Sequence, residues 1–212
     1  MLENIHWLGH DTFRLDGSST VYIDPWKLPN GARPADLILV THDHFDHFSA
    51  ADIARIGSAA TTLIGPAAVT GQVSGLTTVT LAPGETATIG GVTVTAVPAY
   101  NLNKFRSPGE PYHSREAGYL GYVVEMDGLR IYHAGDTDAI SEMSDVRCDV
   151  ALLPVGGTYT MTAEEAAAAC DALGAAAAIP MHYADIVGTQ ADAERFQALC
   201  HAPVTILSPE ES

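Results

Sequence analysis

Between Thr41 and His47 the chain reads Thr-His-Asp-His-Phe-Asp-His, which places three imidazoles and a carboxylate in the pattern His-x-His-x-Asp-His. Imidazole nitrogen and carboxylate oxygen are the donors that borderline divalent metals such as zinc prefer. His42 and His44 lie two residues apart, so in an extended segment they project to one side. Asp46 and His47 follow after a bend, where they can face a second ion. A polar loop with chance histidines is the plain alternative, but three His and one Asp in this order are hard to collect by accident.

The elements that must hold these side chains can be read from the flanking residues. Leu37-Ile38-Leu39-Val40 is an apolar run of strand length, so the ligands sit on a loop at a strand's C-terminal end. Four further strand-like segments end in the same way. Asp24 follows Thr20-Val21-Tyr22-Ile23, and Asn101 follows the segment 92–97. Asp136 follows Arg130-Ile131-Tyr132-His133-Ala134-Gly135, and His182 follows Ala178-Ile179-Pro180-Met181. Strand ends on a rigid scaffold are where sites are commonly built.

Residues 4–24 alternate apolar and polar positions around Gly9 and Gly17, as paired antiparallel strands do. Strands are expected at 61–65, 77–81, 86–89, 92–97, 118–126 and 129–133, with Gly90-Gly91 and Asp127-Gly128 as hairpin turns. Ser49 caps a short helix carrying Ile53 and Ile56, and Pro66 opens another. After Asp136 the pattern becomes strand 149–154, helix 163–173, strand 177–181, helix 190–200 and strand 203–207. Thr162 and Glu165 have capping-box spacing, and the alanine runs 166–169 and 175–178 read as close-packed surfaces. Hairpins followed by βα units fit an α/β (α+β) fold of two mixed sheets face to face with outer helices. No linker divides the chain, so 1–212 is read as one domain.

Composition narrows the partners. Against 26 acidic residues stand 10 basic ones, a formal charge of −16, which disfavours nucleic acid and anionic membrane surfaces. Cys148, Cys170 and Cys200 are odd in number and widely spaced, so free thiols in a reducing compartment are expected. The start Met1-Leu2-Glu3-Asn4 has no basic n-region or long apolar stretch, and a cytoplasmic protein without a membrane span is expected. A homo-oligomer is compatible with this composition.

With these motifs in hand, the chain resembles the metallo-β-lactamase superfamily, in the branch similar to ascorbate-6-phosphate lactonases and related metal-dependent hydrolases. The likeness runs through Gly9-His10, Ile23-Asp24-Pro25, His42-x-His44-x-Asp46-His47, Tyr132-His133-Ala134-Gly135-Asp136-Thr137 and Met181-His182. It implies a four-layer αβ/βα sandwich with two divalent ions at its edge, zinc first, with manganese or iron as alternatives. It further implies that His42 and His44 hold one ion, that Asp46, His47 and His182 hold the other, and that Asp136 bridges them. Asp24 is implied as the residue that orients the histidine loop. The chain departs from the pattern at one place. Much of the superfamily has a third histidine for the first ion just after the strand 92–98, where this chain reads Pro98-Ala99-Tyr100-Asn101. Asn101 and the more distant His113 are the two candidates for that position.

Such a pair of cations lowers the pKa of a shared water, which can then attack a carbonyl or phosphoryl centre. Asp46 is the natural acceptor of its proton, and His10 is a candidate donor to substrate. Lys104, Arg106, His113 and Arg115 stand out in so acidic a chain as a loop that could attract an anionic substrate. Gly156-Gly157-Thr158-Tyr159-Thr160 is a second candidate for anion contact, through backbone N–H groups. His133 reads as a core histidine, and Tyr183 as core packing. The expected activity is hydrolysis of a small anionic lactone or phosphoester. A nuclease and a non-catalytic metal sensor are the competing readings of the same ligands.

Overall fold

Strand by strand, the chain builds two sheets in succession, and a computed structural model describes residues 2–210. The first sheet contains β1 (Ile5–Gly9), β2 (Thr12–Asp16), β3 (Thr20–Ile23), β4 (Leu37–Leu39), β5 (Thr62–Gly65) and β6 (Thr77–Thr80), in that spatial order. The second contains β7 (Thr86–Ile89), β8 (Val92–Pro98), β11 (Leu120–Met126), β12 (Leu129–His133), β13 (Val150–Pro154) and β14 (Ala177–Met181), while β9 (Phe105–Ser107) and β10 (Glu110–Pro111) pair apart from both sheets. β1 to β3 are antiparallel and β3 to β6 parallel; β7, β8, β11 and β12 are antiparallel and β12 to β14 parallel. Both sheets are therefore mixed, as the pattern of hairpins and βα units predicts.

The parallel strands β4, β5, β13 and β14 are buried on both faces because both faces are covered, whereas β6 at the sheet edge is largely exposed. Leu37 and Leu39 point into the core between the sheets, whereas Ile38 and Val40 pack outward with Ile53, Ile56 and Val69 from α1 (Ala50–Ile56) and α2 (Ala67–Thr70). On the far side, α3 (Ala163–Leu173) and α4 (Gln190–Leu199) cover the second sheet, with Ala166, Ala169, Cys170 and Phe196 fully or almost fully buried. The result is the four-layer order helix, sheet, sheet, helix.

Local chemistry accounts for the element ends. Ser49 accepts from the Asp52 amide at the start of α1, and Thr162 with Glu165 forms the reciprocal capping box of α3. Gly90-Gly91 and Asp127-Gly128 all take positive φ, as two-residue hairpin turns require. Two expectations are corrected. Residues 203–207 form no full strand: Pro203 has no N–H to donate, so contact with β14 is limited to a bridge at Ala178. The segment 102–116, read as an irregular loop, contains the β9–β10 hairpin. None of the described helices is long and apolar enough to cross a membrane.

The two sheets are tied together at the edge where the histidine motif emerges. The Tyr122 hydroxyl on β11 donates to the Val40 carbonyl at 2.7 Å, and the Leu120 amide donates to Thr41 at 3.0 Å. Each buried bond contributes about 1 kcal/mol net. Gly135 permits this approach: a Cβ there would lie 2.7 Å from the Leu120 carbonyl oxygen.

Candidate metal centre

The five strand ends named above converge on this edge together with the turn after β1, and three residues there carry unusual backbone. His10, Asp24 and His182 have φ of 50°, 48° and 58°. Left-handed non-glycine residues cost about 1–3 kcal/mol each and persist where surrounding bonds hold them. Those bonds are visible here, since the His10 carbonyl accepts from the Trp7 indole at 2.9 Å and from the His182 amide at 3.2 Å. Gly156 lies so close to the His182 carbonyl that a Cβ would meet it at 2.4 Å, so this glycine lets His182 reach the cluster.

Asp24 sets the orientation of the motif. Its Oδ1 accepts from the Thr41 amide at 2.7 Å, and its Oδ2 accepts from the Thr41 hydroxyl at 2.7 Å and from His47 Nδ1 at 2.8 Å. The Thr41 hydroxyl, already donating to Asp24, accepts from His42 Nδ1 at 2.9 Å. Both imidazoles are thereby left with Nε2 as a bare lone pair directed into the site, which is how ligating histidines are commonly prepared.

His42, His44 and His113 form the first group. His44 Nδ1 stands 3.0 Å from His42 Nε2 and 3.3 Å from His113 Nε2. Asn101, one of the two candidates at this position, points its Oδ1 away from the group. That oxygen accepts from the His113 backbone amide at 2.8 Å and from His113 Nδ1 at 3.0 Å, and the Asn101 amide donates to the Tyr159 carbonyl at 2.8 Å. The side chain brought to His42 and His44 is thus His113, held by Asn101.

The second group gathers around His47 Nε2. Asp11 Oδ2 lies at 3.4 Å, Asp136 Oδ1 at 3.5 Å and Asp46 Oδ2 at 3.8 Å. His182 Nε2 lies 3.2 Å from Asp136 Oδ2. Asp136 stands between the groups, because the same Oδ2 is 3.3 Å from His113 Nε2. Donors that share one ion at about 2.1 Å stand roughly 3–4 Å apart, and this set meets that spacing. His47 Nε2, Asp136 Oδ1 and both Asp11 oxygens are buried without a hydrogen-bond partner. Unpaired lone pairs in a dry interior cost free energy that a cation recovers, so the residues present fit divalent metal.

Electrostatics agree with that reading at three imidazoles and at Asp136, whereas at His182 burial lowers the pKa but the Asp136 carboxylate outweighs it and raises it. Burial holds the imidazoles of His42, His47 and His113 below their ordinary pKa, in the neutral, ligating form. Burial pushes the Asp136 carboxyl up, but His182 and His47 beside it outweigh this and hold it well below the usual carboxylate range. Asp11 moves the other way: burial, then the adjacent Asp136 carboxylate, raise it.

Several sequence expectations are redrawn by the geometry. His10, proposed as a donor to substrate, is enclosed by Trp26, His47 and His182, and its Nε2 faces Asp46 Oδ2 at 3.2 Å. It therefore steadies Asp46 and does not face the cavity. The four groups of loop 102–116 do not act as a set. Lys104 pairs with Glu165 at 2.8 Å, Arg115 pairs with Glu142 at 2.6 Å, and His113 is in the cluster. Arg106 alone remains at the cavity without a carboxylate partner among the described residues, over the Tyr112 ring. In the 156–160 loop, the Gly157 and Thr158 amides donate to Met161 and Gly156, so they are not offered to an anion. Tyr183 packs in the core, stacked on Trp7 at 5.0 Å. The residues the sequence reading missed are Asp11, hidden as the neighbour of His10 in a tight turn, and Tyr119, whose ring packs against those of His42 and His44.

His133 is a core histidine with a testable consequence. Its Nε2–H donates to the Asp11 carbonyl at 2.9 Å and its Nδ1 accepts from the Gly135 amide, so the ring is locked neutral. Burial lowers its pKa from 6.5 to about 4. The unfolded chain binds this proton more readily, so stability is retained above about pH 6.5 and lost as pH falls toward 4, on the order of 3 kcal/mol. In His133→Gln the urea midpoint is expected to fall less over that interval than in the parent. Parallel midpoint-versus-pH curves for the two proteins would refute this assignment.

The profile of the Beta-lactamase superfamily domain matches residues 4–182. The chain belongs to the metallo-β-lactamase superfamily. It is 38% identical over 97% of its length, and 94% of the relative's, to the UPF0173 metal-dependent hydrolase of Methanoculleus marisnigri. It is 37% identical to the counterpart in Archaeoglobus fulgidus, with 98% and 97% covered. A solved structure from Parabacteroides distasonis superposes with a TM-score of 0.83 at 30% identity, covering 95% of this chain and 91% of that one. The metallo hydrolase Igni18 of Ignicoccus hospitalis shares the fold, with a TM-score of 0.76 at 24% identity over 98% and 95%. The chain is a hydrolase of this superfamily with a metal-capable His/Asp cluster. The narrower likeness to ascorbate-6-phosphate lactonases is not confirmed by these relatives, which carry the UPF0173 name.

Proposed function

We propose that this metallo-β-lactamase-fold chain is a metal-dependent hydrolase of a small anionic ester, a lactone or a phosphoester. The observation that carries the reading is the set of inward-facing lone pairs at His42, His44, His113, His47, His182 and Asp136, next to a cavity of about 350 Å³. In this reading His42, His44 and His113 hold one divalent ion, and Asp46, His47 and His182 hold the other, with Asp136 shared. Bound there, divalent cations supply Lewis-acid polarisation of a carbonyl or phosphoryl oxygen and bring the pKa of water toward neutrality.

The chain's own groups do the rest. Asp46 reaches the cavity wall, where it can take a proton from the attacking water and pass it to the leaving group. Its carboxyl is pushed up by burial, but the His10 hydrogen bond overrides this and keeps it ionised. Phe45, Tyr112, Tyr159 and Ile186 give the cavity an apolar lining, and Arg106 is the cation at the cavity that can meet an anionic group. A cavity of this size suits a metabolite-sized ligand, and the strongly negative chain repels a nucleic-acid backbone.

The experiment is metal analysis of the purified protein followed by a panel of lactones, phosphomonoesters, phosphodiesters and nucleic acids. Turnover of small esters in a metal-replete protein supports the reading. A protein with no divalent ion, or one that prefers DNA or RNA, overturns it. On the small substrate, Arg106→Ala is expected to raise KM by about tenfold with kcat little changed, because a charged hydrogen bond to a non-reacting group is lost. An unchanged KM would remove Arg106 from the substrate contact.

A further inference from the structure

Asp11 is buried, with its side chain fully enclosed, and neither of its carboxylate oxygens has a hydrogen-bond partner. An ionised carboxylate in that condition is costly unless a cation lies beside it. The lone pairs it faces sharpen the point. His47 donates its Nδ1 proton to Asp24, so the neutral ring presents a bare Nε2 to Asp11 Oδ2 at 3.4 Å. Two acceptors at that distance repel. The same Asp11 oxygen lies 3.9 Å from His182 Nε2. Ligand atoms of His10, Asp11, His47 and His182 all fall within 4.8 Å of one another. A single proton satisfies one such contact, whereas a divalent ion placed among the donors satisfies several together.

We propose that Asp11 is a direct ligand, through Oδ2, of the divalent ion held by His47 and His182. This rests on the metal-dependent reading above and adds a donor to it. The second ion then has three carboxylates within reach, from Asp11, Asp46 and Asp136, beside its two imidazoles. An oxygen-rich set of that kind favours harder ions, so the second position prefers manganese or ferrous iron over zinc more than the first, three-histidine position does. Asp11 is contributed by the turn between β1 and β2 of the first sheet, whereas Asp136 follows β12 of the second. Its coordination therefore closes the second position from the first sheet.

The test uses the full chain as wild type, Asp11→Asn and Asp11→Ser, each stripped of metal and titrated with Mn²⁺ and with Zn²⁺. Bound metal is read by equilibrium dialysis with elemental analysis, and far-UV circular dichroism checks the fold. Asn keeps the shape of Asp, so it tests the charge without opening a cavity. The expected result is that wild type binds two ions and both variants keep the first. The second is weakened by about 10- to 100-fold, with Mn²⁺ losing more than Zn²⁺. If wild type binds two ions and folded Asp11→Asn binds both with unchanged affinity, Asp11 is no ligand, while the hydrolase reading stands. If wild type binds no divalent ion, both fall together.

Discussion

Asp136→Ala is expected to strip the protein of metal and to lower turnover by more than about a hundredfold. The size follows from position. One Asp136 oxygen lies 3.3 Å from His113 Nε2 and 3.2 Å from His182 Nε2, and the other lies 3.5 Å from His47 Nε2. No other side chain faces both groups so closely among the described residues. In the proposed two-ion site, removing it takes a ligand from each ion at once and a negative charge from between them. Asp136→Asn preserves the shape and hydrogen-bonding capacity but not the charge, so it should fail nearly as badly. Elemental analysis and turnover measured on the same preparations check this. Full metal retention in Asp136→Ala, or normal turnover, would end the shared-ligand assignment.

His113→Ala and Asn101→Ala are expected to separate by their metal content. Loss of the His113 ring removes a donor from the first group, and the protein should keep the second ion and lose most of the first. Asn101 holds His113 through two bonds to its Oδ1, 2.8 Å and 3.0 Å long, and does not itself face the ions. Its loss frees the imidazole without deleting it, so the first ion should weaken by about 10- to 100-fold, the range seen when a ligand loses its orienting partner. Asn101→Ala with a larger loss than His113→Ala would reverse the two roles.

This pair shows where reading the chain alone reaches its limit. The donors at 42–47 are legible because they are local: an apolar strand ends, and the ligands follow within six residues. Asp24 and His182 are legible as strand ends that match a family pattern. The choice between Asn101 and His113 is not local. Twelve residues separate them, and the intervening chain contains the β9–β10 hairpin, a short turn pair with little periodicity to announce it. Backbone pairing of that hairpin and the bond from the Asn101 amide to the His113 carbonyl carry the histidine back into the site. Arg106 stands apart from Lys104 and Arg115 for the same kind of reason, since their carboxylate partners, Glu165 and Glu142, come from elements far along the chain.

Asp11 makes the point from the other direction. In the sequence it is a polar residue in a Gly-His-Asp turn, and nothing in its neighbours distinguishes it from a solvated one. Its burial arises because β1 and β14 meet at the site edge, where the His182 amide bonds to the His10 carbonyl.

Residue type and short-range spacing therefore determined the donors, the strands that end in them and the sandwich they imply, because hydrophobic periodicity and metal affinity are properties of neighbouring residues. Which donors meet was decided by the tertiary structure. Lone pairs from both sheets approach within 4 Å only after the core between Leu39, Tyr122 and their neighbours has closed and the bonds at Val40, Thr41 and His10 have drawn the strand ends together.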